Sequence, residues 1–418
     1  MSPVSLAIVG AGDRGTAYAR WALAHPEQVR IVAVADPSRD RALPLARESG
    51  ARLFPGWRQL ADEGRIADAV VIATQDADHA EPATAFAELG YHLLVEKPLA
   101  PTEAECRDIV AAVEKAGVIF AVCHVLRYAP YTDTVRAVVE SGRIGEIVSV
   151  QHLEPVGFWH QAHSYVRGNW RRTDQSTFML LAKSCHDIDW LQYVVGRPVR
   201  KVASFGGLKH FRPENRPEGA ASRCLDCAVE PECPYSAKRL YFDRLRQGRH
   251  GWPLSVVTPA FTEEALTGAL RHGRYGRCVY DCDNDVVDHQ VVAMEFEGGA
   301  TGTFTMTAFT TGGHRRTRIF GTHGELMCDG EHVEVKDFRT GESSALAVTA
   351  GGDPTAGGGH AGGDERLMAA FVAAVATGDR SLVRSGPSES LASHLAVFAA
   401  ERARLTDQIV TVEQTPPS

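Results

Sequence analysis

The chain has 418 residues, enough for two or three domains of roughly 100–200 residues, each able to bury a core. Apolar residues make up 44% and charged residues 23%, which excludes global disorder; 44 Lys/Arg against 52 Asp/Glu give a net charge of −8, which argues against a nucleic-acid wrapper or a membrane-surface binder. Nine cysteines exclude a small secreted disulfide scaffold. No segment reads as a leader or as the roughly 18–20 apolar residues of a membrane span, so a cytoplasmic, reducing location is expected.

The first 125 residues alternate between strand and helix periods. Val4–Gly10, Ile31–Asp36, Ala69–Thr74, His92–Val95 and Val118–Cys123 are apolar runs of the kind that fill a doubly covered parallel sheet. Helices are predicted from Gly15 to about His25, and over Arg39–Ser49, Ala80–Leu89 and Glu103–Ala116, the last opened by Pro101-Thr102. Beyond about residue 145 come a strand at Ile147–Leu153 and a helix at Phe178–Val195. Alternating strands then follow at Val291–Phe296, Ala300–Phe309, Arg316–Phe320 and His332–Val335, the pattern of an antiparallel sheet with one covered face. Residues 205–285, rich in Arg, Pro and Cys, hold no long periodic element and read as an insertion. Gly351–Gly363 reads as a loop, and Glu365–Thr377 and Ser388–Thr406 as closing helices.

The expected fold class is therefore α/β plus α+β: a doubly wound Rossmann domain over 1–125, and a C-terminal domain over 126–418 with a large, mostly antiparallel sheet and a Cys-rich insertion at about 205–285. Gly10-Ala11-Gly12-Asp13-Arg14-Gly15 fits G-x-G-x-x-G between a strand and a helix. In that context Gly10 makes the turn, Gly12 admits a pyrophosphate and Gly15 lets the helix pack on the strand. Asp36, ending the next strand, is the expected acceptor for a ribose 2′-OH, which favours NAD over NADP. Glu96-Lys97-Pro98 follows the strand His92–Val95, at the edge where such sheets bind ligands.

These motifs, with Ala73-Thr74, His79, Arg127-Tyr128, Asn169-Trp170-Arg171, His186-Asp187-Ile188-Asp189 and Phe320–Leu326, resemble the glucose–fructose oxidoreductase/inositol dehydrogenase/MocA family of NAD(P)-dependent sugar oxidoreductases, over about residues 4–200 and 286–405. The resemblance implies that Lys97 and His186 are catalytic. It also implies that Asp13, Arg14, Thr74, Gln75, His79, Glu96, Lys97, Arg127, Trp170 and Arg171 line the cofactor. One departure stands out: Ala182 occupies the position of a family aspartate four residues before His186, while Lys183 shares a helix face with His186.

The segment Glu154–Arg172 crowds His160, His163, Tyr165 and Arg167 beside Trp170, a mixture suited to sugar hydroxyls and C–H faces. With Lys183, Asp187 and His289 these are the expected substrate contacts; Asp285, Asp288 and His360 are weaker candidates. Cys224, Cys227 and Cys233, spaced C-x2-C-x5-C, with Cys278 or Cys282 as a fourth thiol, are expected to hold a structural zinc. An iron–sulfur cluster and unliganded thiols stay open as alternatives. The expected activity is hydride transfer between nicotinamide and a secondary alcohol of a sugar, cyclitol or glycoside, with His186 as acid/base and Lys97 holding the oxygen. Transient oxidation to cleave a glycoside, or a lapsed NAD-binding regulator, are the alternatives. The expected partners are a small sugar or cyclitol and further copies of the chain, as a homodimer or homotetramer through the C-terminal sheet, with no nucleic acid and no membrane.

Overall fold

The structure is a computed structural model and describes residues 2–348 and 362–413. Its first sheet contains β1 (Val4–Val9), β2 (Val29–Ala35), β3 (Arg52–Phe54), β4 (Ala69–Ile72), β5 (His92–Val95) and β6 (Phe120–Val122), in the order β3-β2-β1-β4-β5-β6 and parallel throughout. The order reverses between β1 and β4. Ligands of such sheets bind in the crevice outside the strand ends at that reversal. The Gly10 turn leaves β1 there, and Ala73-Thr74 leaves β4 beside it.

The second sheet is formed by β7 (Ile147–Pro155), β8 (Val199–Gly207), β9 (His289–Phe296), β10 (Thr301–Thr307), β11 (Arg316–Gly321), β12 (Gly324–Cys328), β13 (Val333–Asp337), β14 (Ser343–Leu346) and β15 (Val410–Thr411). Its order is β14-β13-β12-β11-β7-β10-β9-β8-β15; β7 and β10 run parallel, and every other neighbouring pair is antiparallel. The helices Met179–Val195 and Pro387–Thr406 pack on one face. Leu180, Leu181, Ile188, Trp190 and Leu191 share a buried core with inward residues of the sheet such as Val292, Phe304 and Ile319.

The two halves interlock. The helix Gly363–Thr377 lies late in the chain, yet its Leu367, Met368, Phe371 and Val372 join the Rossmann core with Tyr18, Ile8 and Ile31. The insertion also differs from the expectation of no long periodic element. It contains two helices, Ala237–Arg246 and Glu263–His272, which close a small core of Tyr241, Leu254, Leu266 and Leu270. Among the described residues no helix is long and apolar enough to cross a membrane. The expected glycine loop, apart from its last two residues, and with it His360, lies outside the described residues.

Candidate active site

The glycine loop separates two roles. Gly10 has φ +95°, and a Cβ there would stand 2.4 Å from the Ala73 carbonyl oxygen; a Cβ on Gly15 would stand 1.9 Å from the Gly10 carbonyl oxygen. Both glycines are required by packing. Gly12 is the opposite case: a Cβ there meets nothing within 4 Å, so the loop leaves open space at the start of the helix Asp13–Ala24. That space is what a pyrophosphate needs, and the helix N-terminus faces it. Asp36 is buried at the end of β2, accepting from the Ala11 N–H at 2.7 Å and the Ser38 N–H at 2.7 Å. Its carboxylate thus ties the loop to the strand next to the expected ribose position. These residues fit a bound dinucleotide.

Several expected cofactor contacts are engaged with one another. Arg14 pairs with Glu96 at 2.5 Å and also with Asp364 and Tyr18. Burial alone would raise the Glu96 carboxyl, but Arg14 and the Tyr18 hydroxyl hold it below the usual range. Arg127 is buried in a bidentate pair with Asp189, both bonds at 2.7 Å. Trp170 Nε1 donates to Asp76 at 2.9 Å, Arg171 grips Asp283 at 3.1 and 3.0 Å, and His79 meets the Pro98 carbonyl at 2.8 Å. Thr74 and Gln75 edge the crevice; Thr74 Oγ1 donates to the Asp78 carbonyl, and Gln75 accepts from Asn169 at 3.4 Å. Asp13, raised chiefly by burial, accepts from Ser255 of the insertion at 3.4 Å.

Lys97, just beyond β5, extends to the helix Met179–Val195, where its Nζ donates to the Ala182 carbonyl at 2.7 Å. In an α-helix that carbonyl also receives the N–H of residue 186, so the ammonium sits one turn from His186. The position of the family aspartate therefore still contacts the lysine, through backbone. His186 is buried, and its Nε2 accepts from Arg315 Nη2 at 2.7 Å. Burial first, and Arg315 second, hold the imidazole well below its ordinary pKa, so it is neutral at neutral pH.

Arg315 is the residue that sequence reasoning missed. Its Nε lies 2.8 Å from Asp187 and 2.7 Å from Glu154, and Glu154 also pairs with Lys183 at 3.0 Å. His152 Nε2 stands 3.1 Å from Asp187. Burial lowers the Lys183 ammonium, against the pull of Glu154. The only sequence signal was a basic run, His314-Arg315-Arg316, just ahead of β11.

The aromatic segment divides. Gly157 leads into a wide π-helical turn, Gln161–Arg167, which rotates successive side chains away from regular helix positions. His160 lies on the Lys97 side, with the Tyr165 ring 5.7 Å from its own; it is depressed well below its ordinary value by burial and then by Lys183, with His163, Lys97 and Arg315 adding to it. His163 and Arg167 correct the expectation of substrate contacts. His163 Nδ1 meets the Tyr241 hydroxyl at 2.7 Å and its ring stacks on Tyr275, inside the insertion. Arg167 is likewise buried in the insertion, beside Cys224. His289 pairs with Asp288 at 2.8 Å, and Asp285 caps Thr173.

All nine cysteines are free thiols. Among the described residues no three or more His, Cys, Asp or Glu side chains stand where they could hold a metal ion, so the expected single zinc at Cys224, Cys227, Cys233 and Cys278 finds no support.

Residues 4–124 match the model of an oxidoreductase family with an NAD-binding Rossmann fold (Gfo/Idh/MocA), and residues 136–411 match that of its C-terminal alpha/beta domain. The chain is 28% identical over 211 residues to 2,7-anhydro-N-acetylneuraminate hydratase of Escherichia coli K12, covering 50% of this chain and 55% of that protein. It is 31% identical over 204 residues to inositol 2-dehydrogenase 1 of Saccharopolyspora erythraea, covering 48% and 56%. The matches thus span little more than half the length of these relatives. Among solved structures, levoglucosan dehydrogenase in complex with NADH and levoglucosan aligns with a TM-score of 0.71 at 20% identity, covering 99% of this chain and 100% of that one.

Proposed function

The chain belongs to this NAD-binding oxidoreductase family, and from that premise we propose that it is an NAD-dependent dehydrogenase acting on a secondary alcohol of a sugar, cyclitol or glycoside. The reading rests on one observation: Lys97 is bonded one helical turn from a buried, neutral His186, at the strand end next to the glycine crevice. Gly12, Asp36 and the helix N-terminus at Asp13 would hold the dinucleotide, with the Asp36 carboxylate disfavouring a 2′-phosphate. When bound, the nicotinamide supplies the hydride acceptor.

The protein's own residues manage the oxygen and its proton. Lys97 donates to the reacting oxygen and stabilises it as it becomes an alkoxide. His186 starts neutral, and as Arg315 Nη2 gives up its bond to Nε2 the freed lone pair takes the hydroxyl proton there. Until then Arg315 holds that atom, keeps the imidazole unprotonated, and places a second cation near the developing negative charge. Tyr165 and His160 offer a ring face and a polar edge to the substrate. The cytoplasm remains the proposed location, and a second copy of the chain the proposed partner.

Lys97→Ala and His186→Ala are each expected to lower kcat at least about 100-fold with NAD affinity nearly unchanged, read by fluorescence titration. Normal turnover in both variants would end this assignment. A second, redox-neutral reading is favoured by the hydratase name of the Escherichia coli relative: the cofactor stays bound and the oxidation is transient. Free NADH accumulating in step with product separates the first reading from the second.

A further inference from the structure

One arginine of the insertion stands at the substrate turn without a counter-charge. Arg244, in the last turn of the helix Ala237–Arg246, is half-buried, with its guanidinium carbon 5.1 Å from the centre of the Trp159 ring. Among the described residues it makes no ion pair and no side-chain hydrogen bond. Other arginines of the insertion are paired: Arg246 with Asp243 and Glu263, Arg271 with Asp226, and Arg277 with Asp283. Arg249, whose N–H bonds to the Arg244 carbonyl at 2.9 Å, adds a second cation instead of an anion. Burial, and then this second charge, both work against the charged Arg244 guanidinium.

Aromatic rings connect this guanidinium to the reacting end. Trp159 stacks on His160 with ring centres 5.6 Å apart, and Trp252 of the insertion stands 5.5 Å from Trp159 and 4.8 Å from His160. His160 in turn lies where Lys183, Lys97 and Arg315 act on it. Those cations already have roles. Lys183 and Arg315 share Glu154, Arg315 also holds Asp187, Arg14 pairs with Glu96, and Lys97 serves the reacting oxygen in the proposed reaction. Arg244 remains for a ligand.

Ring faces suit the C–H faces of a sugar, and a guanidinium meets a carboxylate with two parallel N–H···O bonds. Resting on the sugar dehydrogenase reading, we propose that the substrate is a sugar acid or its glycoside, with its ring against Trp159 and Trp252 and its carboxylate bound by Arg244. The reacting alcohol lies at the other end, by Lys97 and His186. The insertion thereby sets the class of substrate. A phosphate gathers donors from several groups, whereas a single planar fork matches a carboxylate. Because the carboxylate is remote from the transferred hydride, its bond is equally strong in the bound substrate and in the transition state. Arg244 therefore acts on KM more than on kcat.

The test is binding of matched probes to the NAD-loaded full chain, read by tryptophan fluorescence: glucuronate with glucose, galacturonate with galactose, and their methyl glycosides. At least one acid is expected to bind at least about tenfold tighter than its neutral partner, with the margin shrinking as salt is raised. Arg244→Gln should erase that margin while neutral sugars and NAD bind as before, and Arg244→Lys should keep part of it. In turnover of the preferred acid, Arg244→Gln should raise KM about tenfold with kcat nearly unchanged. Should Arg244→Gln fail to fold, the wild-type margin and its salt dependence decide. Acids that bind no tighter than their neutral partners overturn the proposal. So does an Arg244→Gln protein that keeps the margin and loses only stability, the mark of a purely structural arginine. Glucose 6-phosphate bound more tightly than every acid overturns the carboxylate. An acid preference without NADH formation upholds the Arg244 site and ends the dehydrogenase reading; NADH formed from neutral sugars alone does the reverse.

Discussion

Gly12 and Gly15 stand three residues apart in one loop and meet opposite surroundings. A Cβ on Gly15 collides with backbone at 1.9 Å, while one on Gly12 meets open space. Gly15→Ala is therefore expected to destabilise the fold by about 1–3 kcal/mol or more, seen as an earlier denaturant midpoint. Gly12→Ala should stay within about 1 kcal/mol of wild type and still weaken NAD at least about tenfold by closing the pyrophosphate approach. Equal NAD affinity in Gly12→Ala would remove this cradle from the binding site. Both glycines, and the division of packing from ligand between them, were legible in the sequence as a motif between strand and helix; the atoms opposite each, which set how sharply the two differ, were not.

Arg315 sets the state of His186. The imidazole is held well below its ordinary pKa by burial and by this guanidinium, against the opposing pull of Asp187. Removing the cation leaves Asp187 uncompensated and raises the histidine. A base must be unprotonated, so activity should then be lost at a higher pH as the solution is acidified. Arg315→Gln is expected to move the acidic limb of kcat/KM upward by about one pH unit or more, and Arg315→Lys to restore part of the shift. An unmoved limb would mean that His186 is not the titrating base. Sequence periodicity gave no hint of this residue, since it precedes β11 and joins the buried network only through tertiary folding.

At the scale of elements, boundaries were legible where local chemistry fixes them. The helix Arg39–Ser49 ends on Gly50 at φ +68°, and Glu103–Ala116 starts on Thr102, whose hydroxyl accepts from the Glu105 N–H at 3.2 Å. Thr102→Ala should cost about 1 kcal/mol, measured as a lower denaturant midpoint with unchanged NAD affinity; no loss would mean that the packing of Cys106, Ile109 and Val113 alone holds this helix. The insertion helices were not legible. Ala237–Arg246 buries only Ala237 and Tyr241, and Glu263–His272 only Leu266 and Leu270, too thin an apolar stripe to show a helical period. The π-helical turn escaped for another reason. Its side chains follow no 3.6-residue repeat, so Tyr165 separates from His163 and Arg167, which turn toward the insertion, while His160 ends the short helical turn before it.

At the scale of the molecule, the insertion roofs the crevice. Ser255 reaches Asp13 of the glycine loop, Arg274 donates to Asn169 at 2.8 Å, and the Trp252 ring lies 4.8 Å from that of His160. The family pattern made the two sheets readable, but this roof is built from residues outside that pattern. The opposite face of the nine-stranded sheet is left open. Phe205 and Val291, neighbours across β8 and β9, are 67% and 39% exposed. Clustered apolar side chains on one sheet face are uncommon on a monomer, while helices already cover the other face. A second copy of the chain meeting this face would bury them, with β-sheet stacked on β-sheet. Light scattering after size exclusion should give more than one chain per particle. The double substitution Phe205→Asp and Val291→Asp, placing like charges side by side in the same layer, should shift the particle toward a single chain while leaving NAD affinity unchanged, because neither residue adjoins the crevice. A wild-type protein that runs as one chain at assay concentration would assign the face to solvent instead.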